Sequence, residues 1–184
     1  NERYPAEYHF RAFEAIAEGI CGCTDKVVIS FLDCYGKTKR NMRGIPLETP
    51  DEEIMKRTGE RFVKTAEKYG MTVESCAETV DLSEVGVRHG SCVDPAMIER
   101  ILGVPVRVKK DKNQRPECGC VESVETGAYD TCLCGCKYCY ANDSEGAVMR
   151  RRAEYDVHAP LLCGRVEEGD RITVRRTSRI LTGE

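Results

Sequence analysis

KVVISFL (residues 26–32) is a short, nearly unbroken apolar run rich in β-branched residues, the mark of a strand buried on both faces. Asp33 follows at its carboxyl end. Downstream, Thr49, Pro50 and Glu52 predict a helix start, with Thr49 as N-cap, proline in the first turn and glutamate at the capping-box position. Ile54, Met55, Phe62, Val63, Ala66 and Tyr69 carry that helix to Gly70, and MTVESC (residues 71–76) reads as the next strand. Strand, helix, strand is a parallel crossover unit. The expected fold class is therefore α/β, a partial (β/α) barrel-like parallel sheet, followed by a cysteine-rich segment.

Working outward, Pro5 suits the first turn of a helix, and Phe13, Ile16, Ala17 and Ile20 recur at helical spacing up to Gly22, an apolar stripe expected to pack on a sheet. Asp94 and Pro95 open DPAMIERILG as a further helix, and VPVRV (residues 104–108) is expected to return as a strand. DCYGKTKRNMRGIP (residues 33–46) reads as a polar, basic connection. The texture changes at KKDKNQRPECGC, which places three segments: an α/β domain over residues 1–110, a cysteine-rich segment over 111–164, and a basic tail over 165–184 with one alternating strand, RITVRR. A helix is expected from about Tyr138 to Tyr155. The chain opens on Asn1 and enters a helix almost at once, so it is expected to be the C-terminal portion of a longer protein.

The chain has 184 residues, enough for one domain of ordinary size. Its net charge of −3 gives no support to generic nucleic-acid binding. No apolar run approaches the roughly 20 residues a membrane span needs, and no signal-peptide pattern opens the chain. Twelve cysteines could suggest a secreted disulfide scaffold, but such scaffolds are usually small and here helix and strand patterns supply a core without staples; six of the twelve fall within residues 118–139, as expected of a metal site. A reducing cytoplasm is the expected location.

Within TCLCGCKYCYAN (residues 131–142), Cys132, Cys136 and Cys139 stand at the spacing C-x3-C-x2-C with Tyr138 before the last cysteine. Three thiolates hold three irons of a [4Fe-4S] cluster and leave the fourth iron to an exogenous ligand, which in radical chemistry is S-adenosylmethionine. The spacing resembles the radical SAM signature. Zinc competes, because Cys118, Cys120 and Cys134 raise the number of nearby thiols to six and tetrahedral zinc needs four. Against zinc, the segment has a single C-x2-C, Cys136 and Cys139, while Cys118 and Cys120 form C-x-C.

The stretches VVISFLDCYGKTKRNM, ESCAETVDLSEVGVRHGSCVD, KKDKNQRPECGCVESVETGAYDTC, CGCKYCYAN and HAPLLCG together resemble the bacterial and archaeal family DUF1848 over almost the whole chain. YCYAN is also similar to spore photoproduct lyase relatives. The resemblance implies Cys132, Cys136 and Cys139 as cluster ligands and Tyr138 as a neighbour of bound S-adenosylmethionine. Cys134 departs from the family pattern, which has histidine there, and so is not expected to be an essential ligand.

Other residues carry weaker expectations. Glu74, Cys76 and Glu78 alternate along a strand and past its carboxyl end, the functional side of parallel α/β barrels, which makes Glu78 a candidate to bind substrate or cofactor. Cys76 and Cys92 are read as structural thiols, a quenching thiol or a second metal pair. His89 and His158 are read as hydrogen-bonded structural residues. Arg107, Lys109, Lys110, Lys112 and Arg115 form a basic run beside the cysteines, and Arg115 is the candidate for the carboxylate of the cofactor or a phosphate. Arg150, Arg151, Arg152, Arg175, Arg176 and Arg179 alternate with acids and read as solvated surface.

The expected function is a radical SAM-like [4Fe-4S] protein that cleaves S-adenosylmethionine and acts on an unknown substrate, served by a flavodoxin- or ferredoxin-like one-electron reductant. The alternatives are a zinc- or iron-sulfur-stabilised binding or electron-transfer module, and a lyase-like DNA repair enzyme.

Overall fold

A computed structural model of the chain describes residues 3–174. The described chain falls into two compact units, one of residues 3–33 and 47–123 and one of residues 34–46 and 124–174.

The first unit is a mixed α/β fold around an open parallel sheet. Its strands are β1 (Lys26–Ile29), β2 (Thr72–Cys76) and β3 (Arg88–Gly90), in spatial order β1-β2-β3, three strands among the described residues. Both pairings are parallel, with Val28 opposite Glu74 and Cys76 opposite Gly90. The helices are α1 (Ala6–Gly19), α3 (Glu52–Lys68) and α4 (Pro95–Leu102), numbered in chain order with α2 (Gly36–Asn41) and α5 (Glu145–Ala153) of the second unit. β1 is paired on one side, so Val28 is exposed where burial on both faces was expected.

The core forms where α1, α3 and the sheet meet. Phe13, Ala17, Ala66, Met71, Val73, Leu82 and Val87 are buried together. Phe62 of α3 stacks on Phe13 at 4.2 Å between centroids and meets Phe10 edge-on, so α1 packs against α3, where the stripe was expected on a sheet. Ile16, the second member of that stripe, is exposed.

Caps set the helix limits. The carboxylate of Asp51 accepts the Ile54 N–H at 2.8 Å, so Asp51 is the N-cap of α3 and the expected Thr49 lies outside it. At the other end, Gly70 adopts φ +72°, Met71 N–H donates to Ala66 O and Gly70 N–H to Glu67 O, a Schellman closure that turns the chain directly into β2. α4 has the expected cap: the Asp94 carboxylate accepts the Ala96 N–H at 2.9 Å, and Gly103 ends the helix at φ +69°.

The other carboxylate oxygen of Asp94 meets Lys26 Nζ at 2.9 Å, and the same ammonium meets Glu74 at 3.0 Å. This partly buried triad joins β1, β2 and the start of α4. Lys26 is held above its ordinary pKa by Asp94 first and Glu74 second, and Asp94 below its ordinary value by Lys26.

Three expected elements differ. VPVRV forms no strand; residues 33–46 contain the helix α2; and the helix expected from Tyr138 begins at Glu145, where Ser144 Oγ accepts the Ala147 N–H. Residues 171–174 of the expected C-terminal strand have no regular structure, and Arg175, Arg176 and Arg179 lie outside the described residues. Among the described residues, no helix is long and apolar enough to cross a membrane.

Candidate metal centre

In the second unit, the cysteine loop is closed at its base by short-range hydrogen bonds. Asp130 sits at φ +61°, a left-handed conformation that aspartate tolerates. Its N–H donates to Ala141 O at 3.1 Å, and its carboxylate accepts the Asp143 N–H. The two ends of the loop are thereby clasped. Lys37 of α2 braces the same region, donating to Tyr140 O at 3.3 Å and standing 3.6 Å from the Asp143 carboxylate.

Inside the clasp, the Cys139 N–H donates to Cys136 O at 3.1 Å, forming the turn of the C-x2-C pair. The Asn142 N–H donates to the Cys139 sulfur at 3.2 Å, and the Asn142 side-chain amide donates to Cys132 O at 2.6 Å. Gly135 at φ +62° turns the chain on toward Cys136. The Cys139 sulfur therefore receives a backbone N–H group. Such donors stabilise a thiolate and are the environment a metal-bound sulfur needs.

The thiols of this loop are electrostatically unequal. The Cys134 N–H and then the Cys134 thiol hold Cys132 below its ordinary pKa. Cys134 is pushed up, first by its hydrogen bond to Cys132 and then by Cys132, Cys136 and Cys139 as neighbouring thiolates. Cys132, Cys134 and Cys136 are exposed and Cys139 is half-buried.

Three sulfurs at this spacing, one of them already accepting an N–H group on a clasped loop, fit an iron-sulfur cluster by donor chemistry. Thr38 Oγ1 and Asn142 Oδ1, in the same unit, are buried without a hydrogen-bond partner. Among the described residues, no three His, Cys, Asp or Glu side chains already stand about one point as a formed metal site. The fit rests on donor type, loop closure and the N–H group at sulfur.

The remaining candidates are placed as follows. Tyr138 belongs to the cysteine loop and is partly exposed. Arg115 and Glu78 belong to the first unit. Arg115 pairs with the Asp33 carboxylate, and the Glu78 carboxylate accepts the Phe31 N–H at 2.7 Å, tying the chain beyond β2 to the chain beyond β1. His89 is exposed and its Nε2–H donates to Glu117 O at 2.6 Å. The backbone N–H of His158 donates to the Asp156 carboxylate. In the basic run, Lys110 Nζ donates to Pro116 O. Arg151 lies 3.8 Å from Glu154, a surface pair of little energetic weight.

Asn142 and Asp130 were missed by the sequence reading. Asn142 stands inside the quoted YCYAN, but its two roles depend on loop closure, which no spacing rule encodes.

A family model described as a domain of unknown function, DUF1848, matches residues 1–141, a span that takes in the whole first unit as described and all three motif cysteines. No curated protein and no solved structure matches the chain.

Proposed function

The chain belongs to the DUF1848 family, and on that premise we propose that it is a radical SAM-like [4Fe-4S] protein acting on an organic substrate. Cys132, Cys136 and Cys139 would hold three irons, leaving the fourth to S-adenosylmethionine. The observation that carries this reading is the clasped loop in which Asn142 donates its N–H to the Cys139 sulfur and its side-chain amide to Cys132 O. When bound, such a cluster supplies one electron to S-adenosylmethionine, which breaks into methionine and a 5′-deoxyadenosyl radical that takes a hydrogen atom from substrate.

The chain's own residues do the preparatory work. Asn142 joins the two ends of the ligand loop through Cys132 O and the Cys139 sulfur. Cys134 stands outside the C-x3-C-x2-C spacing, which argues against a fourth thiolate and hence against a purely electron-carrying cluster. The open parallel sheet of the first unit supports the reading of a β/α barrel-like scaffold. A reducing cytoplasm and a flavodoxin- or ferredoxin-like donor complete the setting.

The test is anaerobic reconstitution of the full chain with iron and sulfide, followed by electron paramagnetic resonance of the reduced protein with and without S-adenosylmethionine. A signal that changes on addition, with release of 5′-deoxyadenosine, is expected. Zinc at Cys132, Cys136 and Cys139 with no acid-labile sulfide, or a spectrum indifferent to S-adenosylmethionine, overturns the reading.

A further inference from the structure

Four other cysteines meet in the first unit, brought from three separate segments. β2 ends at Cys76, opposite Gly90, the last residue of β3. Cys92 follows two residues later. The third segment, Cys118-Gly119-Cys120, is laid against the end of β3: a Cβ on Gly119 would stand 3.3 Å from Gly90 O and 3.4 Å from Ser91 Cβ, so only glycine gives this approach without a shift.

Backbone bonds hold the third segment in register. The Cys118 N–H donates to Arg115 O at 3.0 Å, the Asp111 N–H to Cys120 O at 2.9 Å, and the Val121 N–H to Val93 O at 3.1 Å. In return, the Val93 N–H donates to the Cys120 sulfur at 3.3 Å.

The four cysteines are neighbours. The sulfurs of Cys76 and Cys92 are 3.3 Å apart, and Cys76 packs against Cys118 and Cys120. Cys118 and Cys120 are buried, with Ala77, Val93 and Cys76 packed about them. Unmetallated cysteines pack as small hydrophobes, but these four also bring thiols from three separate segments into one neighbourhood.

We propose that Cys76, Cys92, Cys118 and Cys120 form a mononuclear tetrathiolate zinc site that pins the ends of β2 and β3 to residues 118–121. The distances favour one ion over a cluster. With Zn–S bonds of about 2.3 Å, tetrahedral sulfurs lie about 3.8 Å apart. The 3.3 Å separation of Cys76 and Cys92 is close to that figure and well beyond a disulfide bond of about 2.05 Å. A [4Fe-4S] cube places its thiolates outside four irons and holds them much farther apart. The sulfurs are not yet closed about a common point. Side-chain rotation by an entering ion draws them inward, and the Val93 N–H at Cys120 offsets part of the charge of four thiolates.

This site is independent of the iron-sulfur loop, and the experiment separates them. The full chain carrying Cys132→Ala, Cys136→Ala and Cys139→Ala is purified anaerobically and its metal measured; one zinc per chain and no acid-labile sulfide are expected. The unsubstituted chain is treated with iodoacetamide and read by mass spectrometry, with and without a zinc chelator. Alkylation of Cys76, Cys92, Cys118 and Cys120 should accelerate about tenfold or more once the ion is removed. The proposal is overturned if the triple variant has no zinc, if it retains iron and sulfide, or if chelation leaves those four rates unchanged. Loss of iron from the Cys132 loop with zinc still present would defeat only the radical SAM reading.

Discussion

The side-chain amide of Asn142 donates to the backbone carbonyl of Cys132 at 2.6 Å, while the Asn142 N–H reaches the Cys139 sulfur. One residue thus sets the spacing between the first and last cysteines of the motif. Replacing it, Asn142→Ala, removes one hydrogen bond worth about 1 kcal/mol and should lower iron occupancy after limiting reconstitution roughly fivefold. Far-UV circular dichroism should stay unchanged. Iron content equal to that of the unsubstituted chain would show that Asn142 does not organise the loop.

Cys134 is pushed toward the protonated form, first by its hydrogen bond to Cys132. Cys134→Ala should therefore retain its iron, whereas Cys132→Ala, Cys136→Ala and Cys139→Ala each lose most of it. Colorimetric iron and sulfide assays on the four variants decide the matter. Iron loss in Cys134→Ala matching the other three would make it a fourth ligand.

The Lys26 triad sets a pH window. Asp94 is depressed by Lys26, so its contribution is present above 3.8 and lost as pH falls below that value. Lys26 is raised, so its contribution is complete below 10.5 and lost as pH climbs past it toward the higher folded value. Urea midpoints should be flat in this respect between those limits and fall outside them. Lys26→Met leaves Glu74 and Asp94 facing each other without a cation, and should cost about 1–3 kcal/mol at neutral pH. Its stability should then rise on mild acidification, where that of the unsubstituted chain stays flat in this respect.

Gly90 is required by its neighbour rather than by its own backbone. A Cβ there would stand 2.6 Å from Glu74 Cβ and overlap the Glu74 carboxylate, which is already held by Lys26. Gly90→Ala should destabilise the first unit by about 1–3 kcal/mol. A lower urea midpoint at constant slope is the expected signature. An unchanged midpoint would mean that β2 and β3 separate at no cost.

Elements governed by local rules were legible in the sequence. Asp94, Pro95 and Gly103 bound α4 as expected, because cap, first-turn proline and left-handed terminator act within one turn of chain. The cap of α3 was misplaced by two residues because Thr49 and Asp51 are both capping types, and the choice falls to whichever oxygen reaches Ile54 N–H. VPVRV has a strand's composition, yet a strand needs a neighbour for its hydrogen bonds, and among the described residues none pairs with it as a ladder. α2 carries no apolar stripe, and its Lys37 is held by Tyr140 and Asp143, some hundred residues away.

Spacing alone marked out Cys132, Cys136 and Cys139, since ligands supplied by one short loop leave their geometry in the order of residues. The gathering of Cys76, Cys92, Cys118 and Cys120 left no such trace. It arises because parallel pairing puts Cys76 opposite Gly90 and because Gly119 lets a third segment approach β3. Contacts between residues tens of positions apart are created by strand register and close packing, and those come into being only when the chain has folded.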